Sequence, residues 1–216
     1  EPSVWMLTQS VLPPLGGPNT SHAGAWGLAR AVRAEVGLLP VRCIDGSVAS
    51  ALAHGASLAE PEGVLWTRAQ LVPRLARLLQ QPPDARTTIS ARESERHLVT
   101  GGTGGLGLLT ARWLGHGGAH TLALASRSGN LASGVAAEWE RLQASGTTAL
   151  VERCDTAEEA HAHRLLAPTR GLPLAGVWHA AGVLADALLP MQTAQALCRV
   201  YAPKAHGAWA LHAGST

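Results

Sequence analysis

Between positions 100 and 107 the chain reads Thr100-Gly101-Gly102-Thr103-Gly104-Gly105-Leu106-Gly107. Gly102, Gly104 and Gly107 satisfy GxGxxG, and Thr100, Gly101, Gly105 and Gly107 satisfy the related TGxxxGxG. Residues without a Cβ let the main chain approach a diphosphate. A helix opening there aims its first N–H groups and partial positive charge at the anion. No Lys-Ser or Lys-Thr pair follows, which excludes a Walker-type phosphate loop. The pattern predicts a dinucleotide held by Gly101, Thr103, Gly104, Gly105, Leu106 and Gly107; the competing reading is a tight turn with a structural role only.

Ser126-Arg127-Ser128-Gly129 comes next, with Arg127 20 residues after Gly107. A site for NADH places Asp or Glu near that spacing to accept from the ribose 2′-hydroxyl. An arginine instead suits a 2′-phosphate, because a guanidinium forks onto phosphate oxygens that a carboxylate would repel. Ser126 and Arg127 therefore favour NADPH, against the alternative of a solvated surface arginine. Asp155 is suited either to accept from the adenine amino group or to cap a helix. In His179-Ala180-Ala181-Gly182, the small residues Ala180, Ala181 and Gly182 leave room for ribose and nicotinamide, or serve close packing of strand on helix. His179 reads as a packed or hydrogen-bonded residue rather than a base. His161 and His163 read as part of a solvated helix face.

The 10 histidines show no HExxH and no paired metal spacing. Cys43, Cys154 and Cys198 are far apart and odd in number, so the reading is no metal, no disulfide framework, and a reducing, cytoplasmic setting. A net charge of +2 is too small for an electrostatic nucleic-acid binder. With 46% apolar residues the chain is no disordered tail. Its apolar runs are broken well before the ~18 residues a membrane span needs. Charged residues are only 15%, which suggests a piece of a larger protein or a surface packed on neighbours. A chain opening at Glu1 without a targeting signal and stopping at His212–Thr216 reads as cut at both ends.

Chemistry of this kind needs strands that end where the motifs begin. His97–Thr100 reads as a strand, Gly105–His116 as a helix, Thr121–Ser126 as a strand and Ser133–Ala144 as a helix. Ala149–Arg153 is a third strand. Thr156-Ala157-Glu158-Glu159 reads as a capping box opening the next helix. Leu174–Trp178 is a fourth strand, followed by helices over Thr193–Tyr201 and Pro203–Leu211. Such alternation implies right-handed crossovers and a parallel sheet. The fold class is α/β, a Rossmann-type doubly wound parallel sheet, incomplete at its C-terminal side, with Leu174–Trp178 left as an apolar edge.

A smaller unit precedes it. Val4–Thr8, Val41–Ile44 and Val64–Trp66 read as strands and Leu12–Thr20 as a loop. Ser21 is placed to cap a helix whose apolar face is Trp26, Leu28, Ala29, Val32 and Val36. The polar, proline-bearing stretch Gln80–Arg86, a strand-like Thr87–Ser90 and the charged run Arg92–Arg96 separate the two, giving divisions of 1–94 and 95–216.

Taken together, these motifs resemble the ketoreductase domain of modular polyketide synthases, within the short-chain dehydrogenase/reductase group. The likeness rests on Val99–Gly107, Ser126–Gly129, Cys154-Asp155, His179-Ala180-Ala181-Gly182-Val183-Leu184 and Ala202-Pro203-Lys204-Ala205-His206-Gly207-Ala208-Trp209. The first half, through Trp26–Arg30 and Val41–Asp45, is similar to that family's N-terminal structural subdomain, a truncated Rossmann-like unit without a cofactor. The resemblance implies NADPH-dependent reduction of a β-ketoacyl chain, carried on the phosphopantetheine of an acyl carrier protein, to the β-hydroxyacyl form. It also implies neighbouring megasynthase domains as partners.

Of the family's catalytic Ser, Tyr, Lys and Asn, only the lysine carries over, as Lys204, the sole lysine in the chain. The family's Ser and Tyr-x-x-x-Asn lie beyond the stretch matched, and the single tyrosine, Tyr201, sits on the wrong side of the motif. The chain alone is therefore expected to be inactive. The family's Leu-Asp-Asp stereochemical marker stands as Leu184-Ala185-Asp186. Two alternatives are a non-catalytic structural or docking unit of a megasynthase that still binds NADPH, and an unrelated NADP-binding sensor.

Overall fold

The computed structural model describes residues 3–9, 22–54, 59–66, 69–74, 92–169 and 171–215. The predicted loop Leu12–Thr20, the Ser21 cap, the Gln80–Arg86 stretch and the strand-like Thr87–Ser90 lie outside them. Two units form: residues 1–80 with 187–191, and residues 81–186 with 192–216.

In the second unit the apolar runs become β5 (Arg96–Thr100), β6 (Thr121–Ser126), β7 (Thr148–Arg153) and β8 (Leu174–His179). They pair, all parallel, in the order β7-β6-β5-β8. Every residue of β5 is buried, as are the first five of β6, as befits strands covered on both faces. The period of two divides their side chains. Val99, Leu122 and Leu124 face Leu108, Ala111 and Leu114 of α3 (Gly105–His116) and Leu142 of α4 (Ala136–Ala144). Leu98, Ala123 and Ala125 face Ala162 and Leu165 of α5 (Glu159–Leu166) and Ala210 and Leu211 of α7 (Gly207–Ser215). Helices thus cover both faces, and the expected doubly wound parallel sheet is present.

Arg96, read in sequence as the end of a charged run, is instead the first residue of β5 and fully buried. Its Nη2 donates to the Leu165 and Ala167 carbonyls, both at 2.6 Å, closing the C-terminal end of α5, where a cation suits the helix dipole.

Two further local expectations are corrected. The capping box at Thr156 does not form, because α5 begins only at Glu159 and Glu158 makes no side-chain cap. Thr156 is buried against Gly207, where an added Cβ would stand 2.8 Å from its hydroxyl oxygen. Asp155 instead forms a local turn ahead of the helix, its carboxylate accepting from the Ala157 N–H at 3.1 Å. The predicted helix Pro203–Leu211 is a π-helical turn (Ala202–His206) running into α7. Pro203 has no N–H to return to the preceding turn, so the spiral widens and the Gly207 N–H reaches back five residues to the Ala202 carbonyl. Upstream, α6 (Ala194–Tyr201) starts on a formed cap, with Thr193 accepting from the Ala196 N–H at 3.1 Å.

In the first unit β1 (Val4–Thr8), β2 (Val41–Asp45) and β3 (Glu62–Trp66) are parallel. A short β4 (Ala69–Leu71) adds antiparallel to β3. Sequence reasoning missed β4, whose three residues are all exposed and too few to establish a period. Helix α1 (Ala23–Glu35) buries Trp26 and Ala29, with Val32 partly buried, but Leu28 and Val36 are exposed, so the true apolar stripe is narrower than predicted. A second cluster joins Ile44 and Leu65 to Ala51 of α2 (Val48–His54). Polar groups also bind the unit: Trp26 Nε1 donates to Thr8 Oγ1 at 3.0 Å, and that hydroxyl donates to Asp45 at 3.1 Å. Arg30 donates twice to Glu62, at 2.8 and 2.7 Å, and Arg33 adds a third bond to the same carboxylate.

Candidate functional site

The site grows from the turn that links β5 to α3. Gly101 has φ +66°, a left-handed conformation, and a Cβ there would stand 2.7 Å from the Ala180 carbonyl oxygen. A Cβ on Gly102 would stand 2.6 Å from the Val99 carbonyl, and one on Gly107 would overlap the Gly101 carbonyl. For these three glycines, close packing of the turn is a real demand. Gly105 differs: a Cβ there meets nothing within 4 Å.

Open space therefore lies over the first turn of α3. Gly104 provides no side-chain cap, no acidic residue occupies that turn, and Leu108 is the first residue to bond back, to the Gly104 carbonyl at 2.9 Å. The amides of Gly105, Leu106 and Gly107 precede that bond and have no acceptor within the helix. Three N–H groups at a helix terminus beneath open space are a donor set that fits a diphosphate.

This space belongs to a cleft of about 540 Å³ at the C-terminal ends of the strands, where the order switches from β5–β6 to β5–β8. In open parallel sheets that crevice is where ligands sit. The cleft is lined by Gly101, Thr103, Gly104, Gly105, Leu106 and Gly107 from the turn and by Ser126, which ends β6, and Arg127 after it. Asp155 after β7 and Ala180, Ala181 and Gly182 after β8 complete the predicted cofactor set, so all 12 positions share one cavity.

Sequence reasoning missed Ser128, Asn130, Ala132, Cys154, Thr156, Val183 and Pro203, which line it too. Ser128, Cys154, Thr156, Val183 and Pro203 adjoin predicted residues, whereas Asn130 and Ala132 carry no such signal. The Ala132 N–H donates to the Thr103 carbonyl at 3.0 Å, folding the loop after Arg127 over the glycine turn. In that loop Gly129, at φ +69°, donates to Ser126 Oγ at 3.1 Å, and Arg153 Nε donates to the Arg127 carbonyl at 3.2 Å. Asp155 lines the cleft, and its carboxylate accepts from the Ala157 N–H ahead of α5, so it does not cap that helix. Burial pushes the Cys154 thiol up to about 11, leaving it protonated and no nucleophile at neutral pH.

Lys204 is exposed and projects from the π-helical turn, its Cε and Nζ 3.0 and 3.4 Å from where a Cβ on Gly182 would stand. It lies beside the cleft, whose lining includes its neighbour Pro203. His179 bonds through both ring nitrogens, Nδ1 with Thr100 Oγ1 at 2.7 Å and Nε2 with the Pro203 carbonyl at 2.8 Å. Burial lowers its pKa, and the Lys204 charge adds to the effect. His161, expected on a solvated face, is half-buried and accepts from the Asp155 N–H at 3.4 Å, whereas His163 is on the surface beside Glu159. Tyr201 is 62% exposed, stacks edge-on against His206 at 5.7 Å, and is not part of the cleft lining. Among the described residues no group of histidines, cysteines and carboxylates could hold a metal ion.

A family model described as KR domain matches residues 96–216. The chain is 37% identical over 216 residues to the spectinabilin polyketide synthase system protein NorA of Streptomyces orinoci, covering 96% of this chain and 11% of that protein. It is 36% identical over 195 residues to erythronolide synthase EryA3 of Saccharopolyspora erythraea, covering 85% of this chain and 6% of that protein. Among solved structures it is similar to an A1-type ketoreductase, with TM-score 0.79 and 29% identity, covering 98% of this chain and 47% of that one. It is likewise similar to the first ketoreductase of the tylosin polyketide synthase, with TM-score 0.78 and 27% identity, covering 99% and 47%. The chain thus spans about half the length of those ketoreductases and about a tenth or less of the synthases. With its parallel sheet, its glycine turn and this match over more than half its length, the chain belongs to the ketoreductase (KR) domain family of polyketide synthases.

Proposed function

We propose that the chain forms the cofactor half of an NADPH-dependent β-ketoreductase. Its reaction reduces a β-ketoacyl thioester, presented on the phosphopantetheine of an acyl carrier protein within a larger synthase, to the β-hydroxyacyl form. The carrying observation is the single cleft that gathers the glycine turn and Arg127 at the switch point of the sheet. NADPH, when bound, supplies the hydride. The amides of Gly105, Leu106 and Gly107 would hold its diphosphate, Ser126 and Arg127 its 2′-phosphate, and Asp155 its adenine, while Ala180, Ala181 and Gly182 leave space for ribose and nicotinamide. Lys204, beside Gly182, brings a cation to the edge where the reduced oxygen gathers charge and needs a proton. Residues 1–94 serve as the structural subdomain and 95–216 as the cofactor-binding part. No helix among the described residues is long and apolar enough to cross a membrane.

A second reading, a non-catalytic structural or docking unit that still binds NADPH, draws on Tyr201, the sole tyrosine, being outside the cleft lining. The purified chain is therefore expected to bind cofactor without turning over a β-ketoacyl thioester. Titration calorimetry tests the binding. NADPH should bind at least about tenfold more tightly than NADH, and Arg127→Asp should reverse the order, since one phosphate–guanidinium pair is worth roughly 1.5–3 kcal/mol. Equal affinities before and after the substitution would remove Arg127 from the site. Reduction of the thioester by the chain alone would overturn the expectation of inactivity.

A further inference from the structure

His179 ends β8 and is not one of the residues lining the cleft, yet both its ring nitrogens are committed across the fold. The Pro203 carbonyl can only accept, so Nε2 carries the proton; Nδ1 then accepts from the Thr100 hydroxyl. One end of this bridge is anchored in the interior, because Thr100 is fully buried and its carbonyl holds the Ala180 N–H at 3.1 Å. The other end is the π-helical turn. An α-helix would deliver the Gly207 N–H to Pro203, but here it goes to Ala202, and the Pro203 carbonyl accepts from the imidazole. Lys204 follows directly, with its ammonium group against Gly182.

We propose that His179 is a positioning residue that, as the neutral Nε2–H tautomer strung between Thr100 and the Pro203 carbonyl, clamps the π-helical turn so that Lys204 stands against Gly182 at the cleft. The inference deepens the reading of Lys204 given above and rests on it. The clamp spans 24 residues of chain, so the lysine's place is tied to the C-terminal ends of β5 and β8 rather than left to its own helix.

Because Lys204 is the only lysine, reductive methylation with ¹³C-formaldehyde labels one side chain in the intact chain. The N-terminal amine is labelled too, and the signal absent from a Lys204→Arg protein identifies the lysine. In the unchanged protein the Lys204 methyl signal should be displaced from the free-lysine position. His179→Phe, which has neither nitrogen, should return it there while far-ultraviolet dichroism shows the sheet retained. His179→Gln, able to donate and accept in place of the ring, should restore most of the displacement. Thr100→Val, which removes the anchor and leaves the histidine, should lose part of it and decides the matter if His179→Phe does not fold. An undisplaced signal in the unchanged protein, a signal unmoved in folded His179→Phe or Thr100→Val, or equal loss in the Phe and Gln variants, would overturn the proposal. Adding NADPH separates the two readings: a Lys204 signal that ignores NADPH but still responds to His179 substitution counts against the cofactor site and leaves the clamp standing.

Discussion

Gly105 and Gly107 stand two positions apart in one motif and face opposite demands. At Gly107 a Cβ would run into the Gly101 carbonyl, so Gly107→Ala should unfold the turn, costing about 3 kcal/mol, the upper end for overpacking, and losing cofactor binding as well. At Gly105 the added methyl enters open space. Gly105→Ala should therefore keep or slightly raise the melting temperature, since alanine favours a helix over glycine by up to about 1 kcal/mol. It should still weaken NADPH, because that methyl occupies the volume above the helix terminus. Thermal melts beside calorimetric titrations separate the two effects. A Gly105→Ala protein that binds NADPH as before would place the diphosphate elsewhere.

Among the elements, α1 and β3 are joined by the Glu62 carboxylate between Arg30 and Arg33. The hydrogen bonds from Arg30 hold the Glu62 carboxyl below its ordinary value, and the charges of Arg30 and Arg33 act in the same direction against the cost of burial. A carboxylate depressed in the folded state contributes stability in full above its unfolded pKa, about 4.5, and loses it as pH falls through the lower folded value. Acid should therefore loosen α1 and β3 selectively. Hydrogen exchange of their amides should accelerate as pH is taken below about 4.5, after correction for intrinsic exchange. Glu62→Gln should flatten that response while lowering stability at neutral pH. An unchanged acid profile in Glu62→Gln would assign the loosening to other groups.

At the scale of the molecule, the described residues of the second unit present an unpaired strand edge and an exposed helix face. β8 has one described strand partner, β5, and its residues are mostly half-buried. On α6 no residue is buried, leaving Leu197 60% and Tyr201 62% exposed, and Trp209 on α7 is 69% exposed. An unpaired strand edge and exposed large apolar side chains favour association. The purified chain should accordingly show an apparent molar mass by light scattering that rises with concentration, and charged substitutions at Leu197 and Trp209 should reduce it. A monodisperse monomer across the micromolar range would contradict this.

What could be read from the sequence alone was local. The glycine turn, the spacing to Arg127 and the small residues after His179 each depend on a few neighbouring positions, and the order of strands and helices follows from apolar periodicity. The failures occurred where two distant segments compete for one residue. Thr156 has a capping sequence but is buried against Gly207, Arg96 looks like surface charge but closes α5, and the Pro203 carbonyl is taken by His179 of β8 rather than by its own helix. The sequence by itself determined the alternating α/β architecture and which short motifs line the cleft, because hydrogen-bond geometry and side-chain volume act at short range. Only the tertiary structure decided that Lys204 meets Gly182 and that His179 joins Thr100 to Pro203, because such contacts depend on how strands and helices close on one another.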